Sequence, residues 1–221
     1  GVFVGGGTEV AFNRCTIAEN RAYDSESWDA SAIYGGGVYV DEGSVALTNS
    51  TIANNGAEGE AEGGGFYARG VASEVSLTHC TVAGNEATVD SAGSFDNLTV
   101  RNSLLFGGYS ASNLIEAGNN LFDADNVWSE VLEGEDSDGD GLIDKPLLSG
   151  IGGFTSTVAL RGSSVDGSET IDYSGNPALD GGVDGMVATD QRGVARPQGL
   201  AADIGAFELE NAESPEINNL A

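Results

Sequence analysis

The stretch Asp136 to Asp144, DSDGDGLID, holds the densest chemistry in the chain: Asp136, Asp138, Asp140 and Asp144 lie at near-alternate places, with Gly141 directly after the third. Carboxylates spaced this way turn their oxygens toward one hard cation inside a tight loop, and the glycine permits the sharp turn. Calcium is the expected cofactor, against the plainer reading of an acidic linker. The bidentate Glu that closes an EF-hand loop is missing, since Leu147 stands in its place. A second set is aromatic. Phe3, Tyr39 and Tyr67 occupy one equivalent position in GVFV, GVYV and GFYA. If Val2, Val38 and Phe66 point inward, these rings form an outer ladder that suits sugar rings; with the opposite parity, the favoured one, they belong to the core. The third set is Arg192 and Arg196 with Asp190, Asp203 and Glu208. A guanidinium binds a carboxylate through parallel hydrogen bonds, so these residues read as a structural tie rather than as catalysts.

No residue is singled out as catalytic. His79 is the only histidine, and Cys15 and Cys80 show no CxxC spacing, so neither a thiolate metal site nor a nucleophile with its base is legible. A polysaccharide lyase needs a basic proton acceptor beside its calcium, and a hydrolase needs two carboxylates across a sugar. Arg14, Arg21, Arg69 and Arg101 fall at unrelated motif positions, and carboxylates are too many for a chance pair to mean much.

Composition narrows the partners. Eight basic against 35 acidic residues give a net charge of −27, with Lys145 the only lysine. Such a surface repels phosphate backbones and anionic lipids, which leaves glycans or other surface proteins as expected partners and excludes nucleic acid. Hydrated, mutually screened carboxylates also suit high salt, hence a halophilic or marine setting. No apolar run reaches the length of a membrane-spanning helix, so no direct membrane insertion is expected of this stretch.

These residues must be positioned by a repeat. VAFNRCTIAEN at Val10, VALTNSTIANN at Val45 and VSLTHCTVAGN at Val75 are near-copies, and LTVRNSLLFGG at Leu98 is a weaker fourth. Short alternating apolar runs, rich in Val, Ile and Thr and broken by Gly and Asn, make strands rather than helices. The predicted fold is therefore all-β, a right-handed parallel β-helix with three short strands per coil and an irregular C-terminal capping segment. Inward columns run Val10, Val45, Val75, Leu98; Phe12, Leu47, Leu77, Val100; and Ile17, Ile52, Val82, Leu105. Asn20, Asn55 and Asn85 form a side-chain ladder, or else simply tolerate a left-handed turn. Cys15 and Cys80 fall in one column two coils apart, about 9.6 Å at twice the strand spacing. That exceeds the ~7 Å that a disulfide spans, so both are predicted reduced and buried. Ser112 to Asp125 reads as a last, irregular coil.

The expected organisation is coils over 1–125, the acidic calcium-type insertion over 126–145, C-terminal coils and cap over 146–208, and a linker-like tail over 209–221. The chain opens inside a repeat, which suggests a cut from a longer solenoid and an end open to end-to-end self-association.

Two strings carry a resemblance. KPLLSGIGGFTSTVALRGSS at Lys145 and TDQRGVARPQGLAADIGAFE at Thr189 resemble the closing segment and signature of the choice-of-anchor Q domain family. The Asn-terminated repeats are similar to those of polymorphic outer membrane proteins, and the acidic loop looks like those of dockerin and thrombospondin type 3 repeats. The resemblance implies a secreted or cell-surface protein whose β-helix is closed by the TDQRG segment. Ile171 to Met186 departs from the family pattern. A non-catalytic stalk or adhesin-type module stabilised by calcium is the expected function; a polysaccharide-binding module, lyase or hydrolase on the same scaffold is the alternative.

Overall fold

The computed structural model describes residues 1–23, 33–59, 61–123, 128–136, 145–164, 171–183 and 185–210. Among these residues, alternating apolar and polar positions fold into five stacked coils. Coil one holds β1 (Val2–Gly5), β2 (Glu9–Asn13), β3 (Thr16–Ala18) and the short β4 (Arg21–Ala22). Coil two holds β5 (Ile33–Tyr34), β6 (Val38–Asp41), β7 (Ser44–Thr48), β8 (Thr51–Ala53) and β9 (Gly56–Ala57). Coil three holds β10 (Ala61–Glu62), β11 (Phe66–Arg69), β12 (Glu74–Thr78) and β13 (Thr81–Ala83). In coil four the first two strands merge into β14 (Gly93–Arg101), followed by β15 (Leu104–Phe106). Coil five repeats that plan with β16 (Tyr109–Ala117) and β17 (Leu121–Asp123). The merger has a local cause: Phe95 and Leu98 are separated by Asp96 and Asn97 alone, whereas Asp41 to Ser44 fill the same corner of coil two.

Every pairing between coils is parallel and in the register of the repeat, with Val10 opposite Val45, Val45 opposite Val75, and Val75 opposite Leu98. The three inward columns therefore line one core, in which Val38, Val40, Ile52, Leu77, Val82, Val100 and Leu105 are fully buried. Gly93 takes the place of Phe66 in its column because the Phe95 ring folds back into that volume; a Cβ at Gly93 would come within 2.6 Å of the ring. Corners recur too. Arg14, Asn49, His79 and Asn102 share a left-handed backbone at one motif position. The Asn20, Asn55, Asn85 column has ordinary backbone angles and bonds side chain to side chain, Asn20 Nδ2 to Asn55 Oδ1 and Asn55 Nδ2 to Asn85 Oδ1, both at 2.9 Å. The left-handed residues at that second corner are its predecessors, Glu19, Asn54 and Gly84.

Three expectations are corrected. The stretch expected to be an irregular last coil is regular from Ser112 to Asp123: β16 pairs with β14 over eight residue pairs, and β17 continues the third sheet. Cys15 is half-buried rather than buried, because among the described residues no coil lies on the other side of coil one; Cys80 is buried, and both are free thiols. The C-terminal segment adds no coils among the described residues, and it lies against all five coils rather than over the last ones alone. It runs along the side of the solenoid, across the outer face of β3, β8, β13, β15 and β17. Its elements are α1 (Trp128–Val131), β18 (Gly134–Glu135) with β19 (Lys145–Pro146), β20 (Leu148–Ser149) with β21 (Thr157–Val158), and β22 (Ser163–Ser164) with β23 (Ile171–Asp172), each strand pair antiparallel. The outward residues Ala83, Leu104 and Phe106 meet Trp128, Leu132, Val158, Leu160, Ile204 and Phe207 in a second core. Burying apolar surface on both faces of the third sheet draws this flank down onto it. Among the described residues no helix is long and apolar enough to cross a membrane.

Candidate functional site

The first strands of successive coils alternate strictly, so each inward residue fixes its neighbours outward. Val38, Val40 and Phe66 are buried, which turns Tyr39 and Tyr67 out, and Phe3 is 67% exposed. The aromatics thus take the outward parity, against the core parity favoured from sequence. What the sequence lacked was the orientation of any one strand, since both faces of GVYV are apolar. Phe3 and Tyr39 lie 5.4 Å apart between ring centroids, and Tyr39 and Tyr67 5.7 Å apart in a stacked arrangement. Tyr34, from β5, joins at 4.2 Å from Tyr67. Burial among these rings raises the hydroxyl pKa of Tyr39 and of Tyr67, so both remain protonated donors near neutrality.

The strip continues into polar ground. Ser94 and Ser110 follow Tyr67 in the same column. In the neighbouring outward column Arg69 stands opposite Asp41, donates to it through Nε at 3.2 Å, and lies 5.7 Å from the Tyr39 ring centroid. The hydrogen bond to Asp41 holds the Arg69 guanidinium above its usual pKa. Ser110 donates to Asp90 at 2.5 Å, and Asp96 accepts from the backbone N–H of Gly70 at 2.5 Å and from Ser112 at 3.4 Å. Tyr67, Arg69, Ser94, Asp96, Ser110 and Ser112 bound a groove of about 240 Å³. Sequence reasoning missed Tyr34, Arg69, Ser94 and Ser110. The signal was present in AGSF at Ala92, which occupies the register of GFYA, with Ser where the earlier copies carry Phe or Tyr. A larger trough of about 710 Å³ lies over the outer face of the second strands. Its floor, Ala11, Ala46, Ser76 and Thr99, offers no ring to a ligand.

The other expected site residues lie elsewhere. Asp136 is exposed just after β18, while Asp138, Asp140 and Asp144 lie outside the described residues. No group of three or more metal-ligating side chains occurs among the described residues. Arg192 and Arg196 sit in the flank. Arg196 bonds Glu208 at 2.8 Å with both side chains 1% exposed, and donates to the carbonyls of Asp203 and Gly205, both at 2.8 Å. Arg192 bonds Asp190 at 2.8 Å and lies 4.0 Å from the Phe207 ring centroid. The Asp203 carboxylate turns away to accept the backbone N–H groups of Asp180 and Leu209, and burial lifts its pKa to about 6. Glu208, not Asp203, is therefore the carboxylate partner of Arg196. Gln191 ties the flank to the coils: its Oε1 accepts from Thr51 at 2.7 Å, and its Nε2 donates to Thr16 at 3.0 Å.

The family described as right handed beta helix region matches residues 1–130. No curated protein and no solved structure matches the chain.

Proposed function

The chain belongs to the right handed beta helix region family, and on that scaffold we propose a non-catalytic, extracellular surface module that binds an extended glycan along the strip from Phe3 to Ser110. The observation that supports this is the row of Phe3, Tyr39 and Tyr67, spaced one coil apart and running into hydroxyl and carboxylate groups. Aromatic rings take the apolar faces of sugars, and a few convergent polar groups fix orientation. A net charge of −27 favours a neutral or amino-sugar polymer over a uronate or sulfated one. Surface placement rests on the resemblance of the TDQRG and DIGAFE strings, and calcium rests on the alternate aspartates from Asp136 to Asp144.

Binding is favoured over lyase chemistry by the state of Arg69. A proton acceptor must first give up its own proton, and Arg69 is instead held charged by Asp41. The test is a glycan array on the full chain with and without Ca²⁺, with reducing-sugar release measured on each hit. Binding without release, weakened about tenfold or more by Tyr39→Ala with Tyr67→Ala, is the expected outcome. Release of sugar ends, or full binding by the double variant, would overturn it.

A further inference from the structure

The row of aromatic rings stops at a definite place. Tyr67 packs against Tyr39 at 5.7 Å and Tyr34 at 4.2 Å between ring centroids, and both of those rings belong to coil two. Toward coil four the column continues with Ser94 and then Ser110, whose side chains carry no ring. The groove of about 240 Å³ lies there, lined by Tyr67, Ser94 and Ser110. Rings stacked on one another cover each other's faces, so a sugar meets an open aromatic face where the stack ends. A ring laid on Tyr67 one strand spacing further along, ~4.8 Å, would lie over Ser94 with Ser110 beyond it. The volume falls short of the ~300 Å³ at which pockets for larger ligands begin, and so suits one ring rather than several.

The polar wall of the groove selects the ring. Asp96 accepts only from uncharged donors, the N–H of Gly70 at 2.5 Å and the hydroxyl of Ser112 at 3.4 Å, and among the described residues no cationic side chain pairs with it. The guanidinium that lines the groove, Arg69, is bonded to Asp41. A neutral sugar would leave the Asp96 charge uncompensated, whereas a protonated amine would pair with it through a charge-assisted hydrogen bond. The net charge of −27 draws cations toward the same place, and the negative face of the Tyr67 ring favours them on contact. Building on the glycan reading of the strip, we propose that the groove between Tyr67 and Ser110 is a slot for one protonated amino-sugar ring, which prolongs the stack on Tyr67 while its ammonium group meets Asp96.

The test is calorimetric binding of the glucosamine tetramer and of its uncharged N-acetylated counterpart to the full chain, at slightly acid pH. The charged tetramer is expected to bind about tenfold more tightly or better, and Asp96→Asn, which keeps an acceptor for Gly70, to abolish that preference. Ser94→Tyr carries the ring column into the slot and is expected to weaken binding about tenfold or more with circular dichroism unchanged. Equal affinity for the two tetramers, a preference that survives Asp96→Asn, or undiminished binding by a folded Ser94→Tyr would each overturn the slot. If glycans bind and Tyr39→Ala with Tyr67→Ala weakens them while Ser94→Tyr and Asp96→Asn change nothing, the slot falls and the strip stands; if no glycan binds, both fall.

Discussion

His79 shows how one residue couples a corner of the coil to the flank. It holds a left-handed φ of 50°, is fully buried, and lies with Nε2 3.0 Å from Nδ2 of Asn102. The orientation of the Asn102 amide is fixed because its oxygen accepts from the backbone N–H groups of Asn119 and Val183, both at 3.1 Å. Its nitrogen must then face the imidazole, which accepts and is neutral. A proton on Nε2 would set two donors against each other, and burial, reinforced by the charge of Arg196, pushes the His79 pKa down to about 3. The unfolded chain takes up that proton near pH 6.5, so the stability due to neutral His79 is complete above that pH and drains away as pH falls toward 3. Asp203 acts oppositely: its pKa near 6 means that the fold takes up a proton more readily than the unfolded chain, a contribution regained as pH falls through 6. His79→Asn, which places at this corner the residue found at Asn49 and Asn102, leaves Asp203 unchanged and so isolates the histidine. Between pH 7 and pH 4 the wild type is expected to lose about 3 kcal/mol more than the variant, at about 1.4 kcal/mol per tenfold difference in proton affinity. Urea titrations at the two pH values measure it, and parallel losses would show that the imidazole is not the acid-sensitive group.

At the scale of the element, the Asn ladder decides how a coil turns its third corner without ordinary strand pairing. Asn55 is fully buried; its oxygen accepts from the backbone N–H of Asn20 at 3.1 Å, and its nitrogen donates to the carbonyl of Ile17 at 2.9 Å. Asn55→Ala would strand the buried Ile17 carbonyl and leave the part-buried Asn20 N–H without its partner, besides removing the amide pairing with Asn85. At about 1–3 kcal/mol for each buried group left unsatisfied, a loss of about 3 kcal/mol is expected. The half-buried Asn20→Ala should lose about 1 kcal/mol, since water reaches it. Equal losses in denaturant titrations would argue that the column is a turn preference and not a ladder. This column was legible in the sequence because register fixes spacing, and the strands follow the copies residue for residue. Coil five was legible only as an irregular last coil, because Glu116 stands at an inward place of its strand, opposite Val100. The second core was hidden for another reason. Thr16, Thr51 and Thr81 look like ordinary solvent-facing strand residues, and the outward Leu104 and Phe106 make sense only once a segment about a hundred residues later folds back over them. The polar half of the candidate strip depended on the same coils and was lost with them.

Across the whole molecule, a solenoid alone would behave as a row of units coupled only to their neighbours, with its end coils opening first. The flank changes that coupling because it touches every coil. Arg14 donates to the Gln191 carbonyl at 2.8 Å, Asn49 to Thr189 at 2.7 Å, the N–H of Ala206 to Thr81 at 3.0 Å, the N–H of Gly205 to the carbonyl of Asn102 at 2.9 Å, and Asn119 to Gly181 at 2.7 Å. Coils one and five, which share no pairing with each other, are thus joined through one strap held by the second core and by the buried Arg196 to Glu208 pair. Phe207 is the place to cut it: 5% exposed, packed in the second core, and covered by the Arg192 guanidinium. Phe207→Ala should cost about 3–4 kcal/mol. If the strap makes the molecule one cooperative unit, hydrogen exchange at the protected amides of Thr16–Ala18 and Leu121–Asp123 should accelerate together, by about a hundredfold for about 3 kcal/mol. If coupling runs only between neighbouring coils, the change should be confined to the coils that Phe207 touches, and unaltered protection in coil one would refute the strap.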